Sequence, residues 1–496
     1  MTHPQQPPRS EPWLPAWGAF CFFISGAAGL LYEVVWSKQL TYLLGSSLHA
    51  VATVVAAFLG GLALGARFLG VPLARRGTGG RVYALLELGV GVLGVILLPI
   101  LRGLEPLVGQ LYRSLGGESA GFGAARFALL FVLLLPPTAL MGATLPVLVA
   151  RFERDWVGPA LARLYALNTL GAVLGTAVAG FVLLPAVGLA ATTWVAASSN
   201  LVAALVAWRA SAGRPPVAAT PASEIPASAV SSASASAAPR VPATATRPAG
   251  RPAGRLSRSE PLTGPGYAMF AALVALSGFA ALAFQIAWVR LFGLVFGSSV
   301  YSFSAVLGVY LLGLAIGSAA VARFMERGVS LARFARLQWA LAVVAALELF
   351  AFSRLPEWMY AMAERAGPRW GTLFTWEIGL TGALLLAPCA LLGAAFPVAT
   401  RLLQRGDGGH AAGFAYAMNT IGTIGGSLFA GFFAVPSWGV QGTHLAALLL
   451  SAGIAVATLL LARGRGATRK ELALALGALV VVSAVAVAAP RWDPSS

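Results

Sequence analysis

Thirteen long apolar runs dominate the sequence and decide what it can fold into. A helix that crosses a lipid bilayer needs roughly 20 mainly apolar residues. The runs lie near 15–36, 48–70, 82–101, 127–150, 164–184, 187–208, 267–290, 300–322, 334–353, 377–400, 412–435, 442–462 and 472–489. The sequence therefore predicts an all-α integral membrane protein with about 13 transmembrane helices, grouped as six, six and one.

The composition excludes a water-soluble protein. Hydrophobic residues make up 58% of the chain and charged residues only 10%, whereas soluble domains have about 45–50% and about 25%. The net charge of +17 would suggest a nucleic-acid partner in a soluble protein. Here it fits cationic loops that orient membrane helices, so we expect the lipid bilayer, and no nucleic acid, as a partner.

The order of the runs predicts five segments. They are a polar N-terminal tail (1–14), a first six-helix membrane repeat (15–210), a disordered linker (211–265), a second six-helix membrane repeat (266–463) and an additional transmembrane helix with a short tail (464–496). The linker is rich in Ala, Ser, Pro and Arg and has few large apolar residues to bury, which is typical of disorder.

The distribution of cations predicts the orientation. With the N-terminus in the cytoplasm, 25 of the 34 Lys and Arg residues fall on the cytoplasmic side and 7 on the other. Because positive loops stay in the cytoplasm, we predict a multi-pass protein of the cell (plasma or inner) membrane, with a cytoplasmic N-terminus and linker and the C-terminus outside.

The two six-helix segments are copies of one another. At an offset of 252 residues, 14 of the 42 positions in 25–66 are identical, including Trp36 with Trp288. Further along the offset becomes 251, so that Pro146 matches Pro397. Six spans return the chain to its starting side, which predicts two parallel, MFS-like repeats plus one C-terminal helix. Parallel repeats relate the halves of major-facilitator transporters, whose substrate sites lie where the halves meet.

Several motifs resemble those of membrane-bound spermidine-synthase-like proteins, the fused MFS/spermidine synthase family. They are residues 23–36 (FISGAAGLLYEVVW), 45–47 (GSS), 58–65 (FLGGLALG), 140–146 (LMGATLP) and 164–175 (LYALNTLGAVLG). The resemblance implies a transporter-like membrane module that handles polyamine-type or other small cations. Fused members also carry a C-terminal aminopropyltransferase domain with a glycine-rich nucleoside-binding turn.

That catalytic domain has no counterpart in this sequence. The chain ends at Ser496, about where the domain would begin, and no glycine-rich turn follows a predicted strand. We therefore expect no enzyme activity from this chain by itself and no cofactor. Two other functions stay open: a membrane anchor for a separate, soluble aminopropyltransferase, and a truncated polyamine aminopropyltransferase (spermidine synthase).

Two acidic residues inside predicted spans are the leading candidates for a binding site, because charged side chains inside a membrane are costly and usually functional. Glu33 has Gln285 as its repeat counterpart, and Glu87 has Gln338. The four side chains would make a cation-binding site if they converge between the halves. Alternatively, both acids are protonated or hydrogen-bonded groups that only pack.

Two further polar pairs recur in both halves. Tyr165 with Asn168, and Tyr416 with Asn419, are spaced i, i+3 and therefore share a helix face. They either line a substrate pathway or hydrogen-bond to neighbouring helices.

Other residues are expected to be structural. The Gly-x-x-x-Gly motifs predict close helix packing. Prolines predict breaks in the fourth span (Pro136, Pro137 and Pro146) and the tenth span (Pro388 and Pro397). Glu348 is expected near an outer headgroup region, His49 in an interfacial or capping position, and His444 at a loop or helix edge. The sequence has no His, Asp or Glu cluster with the spacing of metal ligands.

Overall fold

Helices account for almost all of the chain described by the computed structural model. The model describes residues 16–76, 79–116, 119–152, 159–212, 264–297, 299–325, 329–366, 370–403 and 408–463, with scattered positions between 473 and 488. The predicted tail (1–14), nearly all of the predicted linker (211–265) and most of the predicted C-terminal helix lie outside the described residues.

Fourteen α-helices are described, and short π-helical turns interrupt three of the spans. The helices are α1 (Ala16–Leu44), α2 (Ser47–Gly65), α3 (Val71–Arg75), α4 (Gly79–Gly103), α5 (Glu105–Leu115), α6 (Ala120–Phe152), α7 (Pro159–Val178), α8 (Leu184–Ala210), α9 (Gly264–Val295), α10 (Val300–Met325), α11 (Leu331–Ala366), α12 (Trp370–Leu403), α13 (Gly408–Phe429) and α14 (Val435–Leu461). The π-helical turns are Ala66–Gly70, Ala179–Leu183 and Ala430–Ala434.

Ten helices within the described residues are long and apolar enough to cross a membrane. Two of them, Ala166–Ala210 and Phe414–Leu461, have 45 and 48 residues. A straight helix of that length would extend about 70 Å, roughly twice the thickness of a hydrocarbon core. Each covers two of the spans predicted from the sequence, and each is interrupted.

The interruption in each long run is a glycine in a conformation closed to other residues. Gly188 has φ 74° and ψ −177°, and Gly439 has φ 71° and ψ 178°. Side chains with a Cβ are strained in this region of backbone space. The duplicated sequence thus places the same kink, preceded by the same π-helical turn, in both halves.

Replacing one of these kink glycines is expected to destabilise the protein through backbone strain alone. A Cβ at Gly439 would meet nothing within 4 Å, so Gly439→Ala should cost about 1–3 kcal/mol without any steric clash. The matched control is Gly453→Ala in the same helix, which also has open space but no positive φ. Thermal unfolding of the purified chain should show a lower Tm for the first variant only; equal Tm values would contradict the assignment.

The predicted proline breaks are wrong. α6 runs through Pro136, Pro137 and Pro146, and α12 runs through Pro388 and Pro397. Neighbouring helices and hydroxyl groups can satisfy the backbone carbonyls that a proline frees, so a membrane helix can remain intact.

Glycines bring the helices into backbone contact, and the same contacts recur in both halves. A Cβ at Gly65 of α2 would overlap the backbone of Ala139 in α6, and one at Gly317 of α10 would overlap that of Ala390 in α12. These pairs are repeat equivalents. The close packing expected from the Gly-x-x-x-Gly motifs is therefore confirmed for these residues.

The two halves meet along two helix pairs. α2 of the first half packs on α13 of the second, and α10 of the second packs on α7 of the first. The apolar core of the second half extends across this interface to Leu48, Val51 and Val55 of α2. The Ser427 hydroxyl donates to the carbonyl of Ala52 at 3.1 Å. The interface leaves room for a cavity between the halves.

Candidate functional site

A cavity of about 130 Å³ lies between the two halves. Helices α1, α2 and α7 line it from the first half, and α9, α10, α12 and α13 line it from the second. Most of the lining is aliphatic or aromatic. Its polar side chains are three repeat-equivalent pairs and two further residues, namely Glu33 with Gln285, Asn168 with Asn419, Thr169 with Thr420, and then Tyr310 and Thr423.

Glu33 is the acidic residue of this cavity. It lies in the middle of α1, is 8% exposed, and its repeat counterpart Gln285 in α9 is 3% exposed. Within the described residues, no side chain or backbone group forms a hydrogen bond or ion pair with the Glu33 carboxyl. An acid enclosed by apolar groups without a partner is costly, so the geometry favours a bound cation or a proton at this carboxyl.

The predicted asparagines serve both of the roles that the sequence left open. Asn168 and Asn419 line the cavity. The Asn168 side-chain amide also donates to the carbonyl of Phe22 at 3.1 Å, which ties α7 to α1. Of the two tyrosines, Tyr416 is buried against Phe396, with ring centroids 5.9 Å apart, and the Tyr165 side chain lies outside the described residues.

Glu87 and Gln338 do not reach the cavity, so the expected convergence of all four side chains is wrong. The Asn200 amide donates to the Glu87 carboxyl at 2.7 Å, and the Gln338 amide donates to the Ser277 hydroxyl at 2.6 Å. In the first half α4 packs against α8, and in the second half α11 packs against α14. This packing directs both side chains into their own half, so the cavity receives one of the two acids.

At one end of the bundle, aromatic contacts that sequence reasoning missed hold the two halves together. The His49 ring stacks on Phe432 with centroids 4.9 Å apart, and the repeat-equivalent Tyr301 stacks on Phe181 at 6.3 Å. Each pair joins one half to the other at the end of the bundle where α1 meets α2. A sequence signal existed for both pairs. His49 and Tyr301 follow the duplicated Gly-Ser-Ser segments, and Phe432 and Phe181 lie in the duplicated π-helical turns.

Glycines permit these contacts. A Cβ at Gly180 would overlap the Ser304 side chain, and one at Gly431 would overlap Ala52. Both contacts cross between the halves and are repeat equivalents. At this end the helices of the two halves are therefore in close contact.

The expectations for Glu348 and His444 are also wrong. Glu348 is 3% exposed and His444 is 1% exposed, and the His444 Nε2 atom lies 3.5 Å from a Glu348 carboxyl oxygen. Neither residue is at a headgroup region or a helix edge. In sequence the two are 96 residues apart, and neither has an ionisable residue as its repeat counterpart.

The described residues offer no group of three or more His, Cys, Asp or Glu side chains that could hold a metal ion. Cys21 and Cys389 are buried as free thiols.

Comparisons with known proteins give no family. No family model matches the chain, and no curated protein matches it. Among solved structures, a bacterial homologue of the iron transporter ferroportin matches with a TM-score of 0.48 at 12% identity, over 94% of this chain and 98% of that one. A bacterial homologue of the human lysosomal transporter Spinster matches with a TM-score of 0.45 at 15% identity, over 96% and 98%. The proton:xylose symporter XylE, of the major facilitator superfamily, matches with a TM-score of 0.44 at 12% identity, over 92% and 99%.

Proposed function

We propose that this chain is a transporter-like membrane protein that binds a small organic cation between its two halves, with Glu33 as the counter-charge. The observation that carries the proposal is the Glu33 carboxyl, which lines the inter-half cavity without a partner in the described part of the chain. A carboxylate in this setting needs a positive charge close by.

The rest of the lining suits a protonated amine. The side-chain oxygens of Gln285, Asn168 and Asn419 can each accept a hydrogen bond from an ammonium group. Leu30 and Phe58 belong to an apolar wall that suits a hydrocarbon body. With one acid in the lining, the cavity fits one ammonium group, either that of a monoamine or one end of a polyamine.

The resemblance to spermidine-synthase-like membrane proteins supports the same substrate class. We propose polyamine-type amines as the first substrates to test, and two parallel six-helix repeats as the framework that moves them. The contacts of His49 with Phe432 and of Tyr301 with Phe181 hold the two halves together at one end of the bundle. Opening that end while the other closes would expose Glu33 alternately to each side, as in other repeat-built transporters.

Glu33→Gln is the variant that tests the proposal. Spermidine and n-butylamine binding to the purified full chain would be measured by equilibrium dialysis with labelled amine. A charge-assisted hydrogen bond contributes about 1.5–3 kcal/mol, so the amide variant should weaken binding at least about tenfold. Glu87→Gln is the matched control, because Glu87 is bonded to Asn200 outside the cavity and its replacement should leave amine affinity unchanged.

Two results would contradict the proposal. One is wild-type affinity in Glu33→Gln, which would remove Glu33 from the site. The other is a failure of both amines to bind the wild-type chain, which would remove the substrate class.

A further inference from the structure

A second buried ionisable cluster lies inside the second half, apart from the cavity lining. Glu348 on α11 and His444 on α14 form its centre. The His444 Nε2 atom is 2.9 Å from the carbonyl oxygen of Ala345. Because a carbonyl only accepts hydrogen bonds, Nε2 carries a hydrogen and donates it there.

The cluster has polar atoms that the surrounding protein leaves unsatisfied. The Trp288 indole N–H faces the Glu348 carboxyl without reaching full hydrogen-bond geometry, and the Nδ1 atom of His444 has no hydrogen-bond partner among the described residues. Buried polar groups in proteins are nearly always paired. A lone buried carboxylate beside a neutral imidazole would be very costly, so the pair holds at least one proton.

Such a pair can hold different numbers of protons. With a neutral acid and a neutral imidazole, or with a carboxylate and an imidazolium, the net charge is zero and the proton count is the same. Addition of one proton gives a neutral acid beside an imidazolium. Removal of one proton leaves a carboxylate beside a neutral imidazole.

Aromatic rings around His444 favour the positively charged state. The imidazole centroid lies 5.0 Å from that of Phe284, 5.4 Å from that of Phe352 and 6.5 Å from that of Trp288. Ring faces and a cation attract one another at centroid distances of about 6 Å or less. Phe284 and Phe352 lie within that distance, so their rings offset part of the cost of a buried positive charge.

Among the described residues of the neighbouring helices, one further titratable side chain interacts with the pair. Cys389 on α12 is close enough to Glu348 to interact electrostatically, and α9 contributes Phe284 and Trp288, neither of which titrates in this role. The repeat counterparts of Glu348 and His444 are Leu97 and Thr193. These are equally buried and cannot exchange a proton, so the cluster belongs to the second half alone.

We propose that Glu348 and His444 form a proton-binding site that exchanges one proton per chain. The site is linked to the cavity through α9, on which Trp288 packs beside the pair and Gln285, one turn earlier, lines the cavity. The proton site does not depend on an amine binding at Glu33.

The test follows both groups directly, without any substrate. The full chain in lipid nanodiscs would be labelled with ¹⁵N-histidine, which gives a simple spectrum because the chain has 4 histidines, and His444 would be assigned by its loss in His444→Gln. Infrared difference spectra of the same samples would follow protonated carboxyl groups as the pH is varied. We expect a His444 signal and a carboxyl band that change over the same pH interval, with a total uptake of one proton.

Glu348→Gln should abolish that carboxyl band and shift the His444 signal. The matched control is Glu357→Gln in the same helix, where Glu357 pairs with Arg354 on the surface; this variant should keep both features. If Glu348→Gln does not fold, the wild-type titration and His444→Gln still decide the matter, because the carboxyl band must move in His444→Gln. A His444 signal that stays constant over the pH range of the folded chain, or a carboxyl band unchanged in both variants, would overturn the proposal.

Discussion

Gly317→Ala is expected to lower the free energy of unfolding by about 3 kcal/mol, enough to deplete the folded protein in membranes. The added methyl group would overlap the carbonyl oxygen and Cα of Ala390. A side chain can rotate away from such an overlap, but a helix backbone cannot. α10 and α12, the most extensively packed helix pair, would have to separate.

Gly308→Ala in the same helix is the control for this prediction. A Cβ at Gly308 meets nothing within 4 Å, and alanine is the better helix former by about 0.5–1 kcal/mol. This variant should unfold at the wild-type temperature or slightly above it, in the same thermal or denaturant assay. If the two variants are equally stable, close backbone contact does not hold the second half together.

Gly180→Val is expected to separate the two halves at the end of the bundle where α1 meets α2 rather than unfold a half. Its side chain would collide with Ser304 across the inter-half interface, where the helices can separate as rigid bodies. A cost of about 3 kcal/mol to the closed state would shift the equilibrium toward the open one more than 100-fold. The repeat-equivalent Gly431→Val should have the same effect through Ala52.

Thiol labelling measures this opening. Ser302 is 2% exposed and lines a small cavity between the halves at this end. A maleimide should label the Ser302→Cys chain slowly and the Ser302→Cys, Gly180→Val chain much faster. Gly379→Val, which adds the same side chain at an exposed helix position with open space, should leave the rate unchanged.

The native thiols separate opening from unfolding in this experiment. Cys21 and Cys389 are both 0% exposed and lie within the halves, so they should react only if a half unfolds. Fast labelling of these two thiols in Gly180→Val would indicate unfolding. Slow labelling of every thiol, including the introduced one, would show that Gly180 does not control this end.

Much of the helix packing could be predicted from the sequence, because a duplicated chain repeats its contacts. Gly65 and Gly317 occupy the same place in the two copies. Gly65 lies against the backbone of α6, and Gly317 lies against the backbone of α12, which are also repeat equivalents. Apolar runs likewise predicted the positions of most helices. The proline breaks were wrong, because the local effect of a proline depends on which neighbouring groups satisfy the freed carbonyls.

The candidate site could be predicted only in part. Glu33 and Glu87 look alike in the sequence, since both are acids in a span with a glutamine in the other copy. What separates them is Asn200, which bonds Glu87 from 113 residues away. The contact between Glu348 and His444 could not be predicted from the sequence. Their repeat counterparts are a leucine and a threonine, which do not mark the positions as functional. The contact itself depends on the packing of α11 against α14.

The repeat-equivalent residues Glu33 and Gln285 set the fixed negative charge of the cavity. Two carboxylates at this position, one from each half, would repel one another or demand a divalent partner. A single glutamine in the second copy reduces the fixed charge there to one. The number of positive charges that the cavity can neutralise is thus decided at one residue, and the two copies of an ancestral half have become unequal at that point.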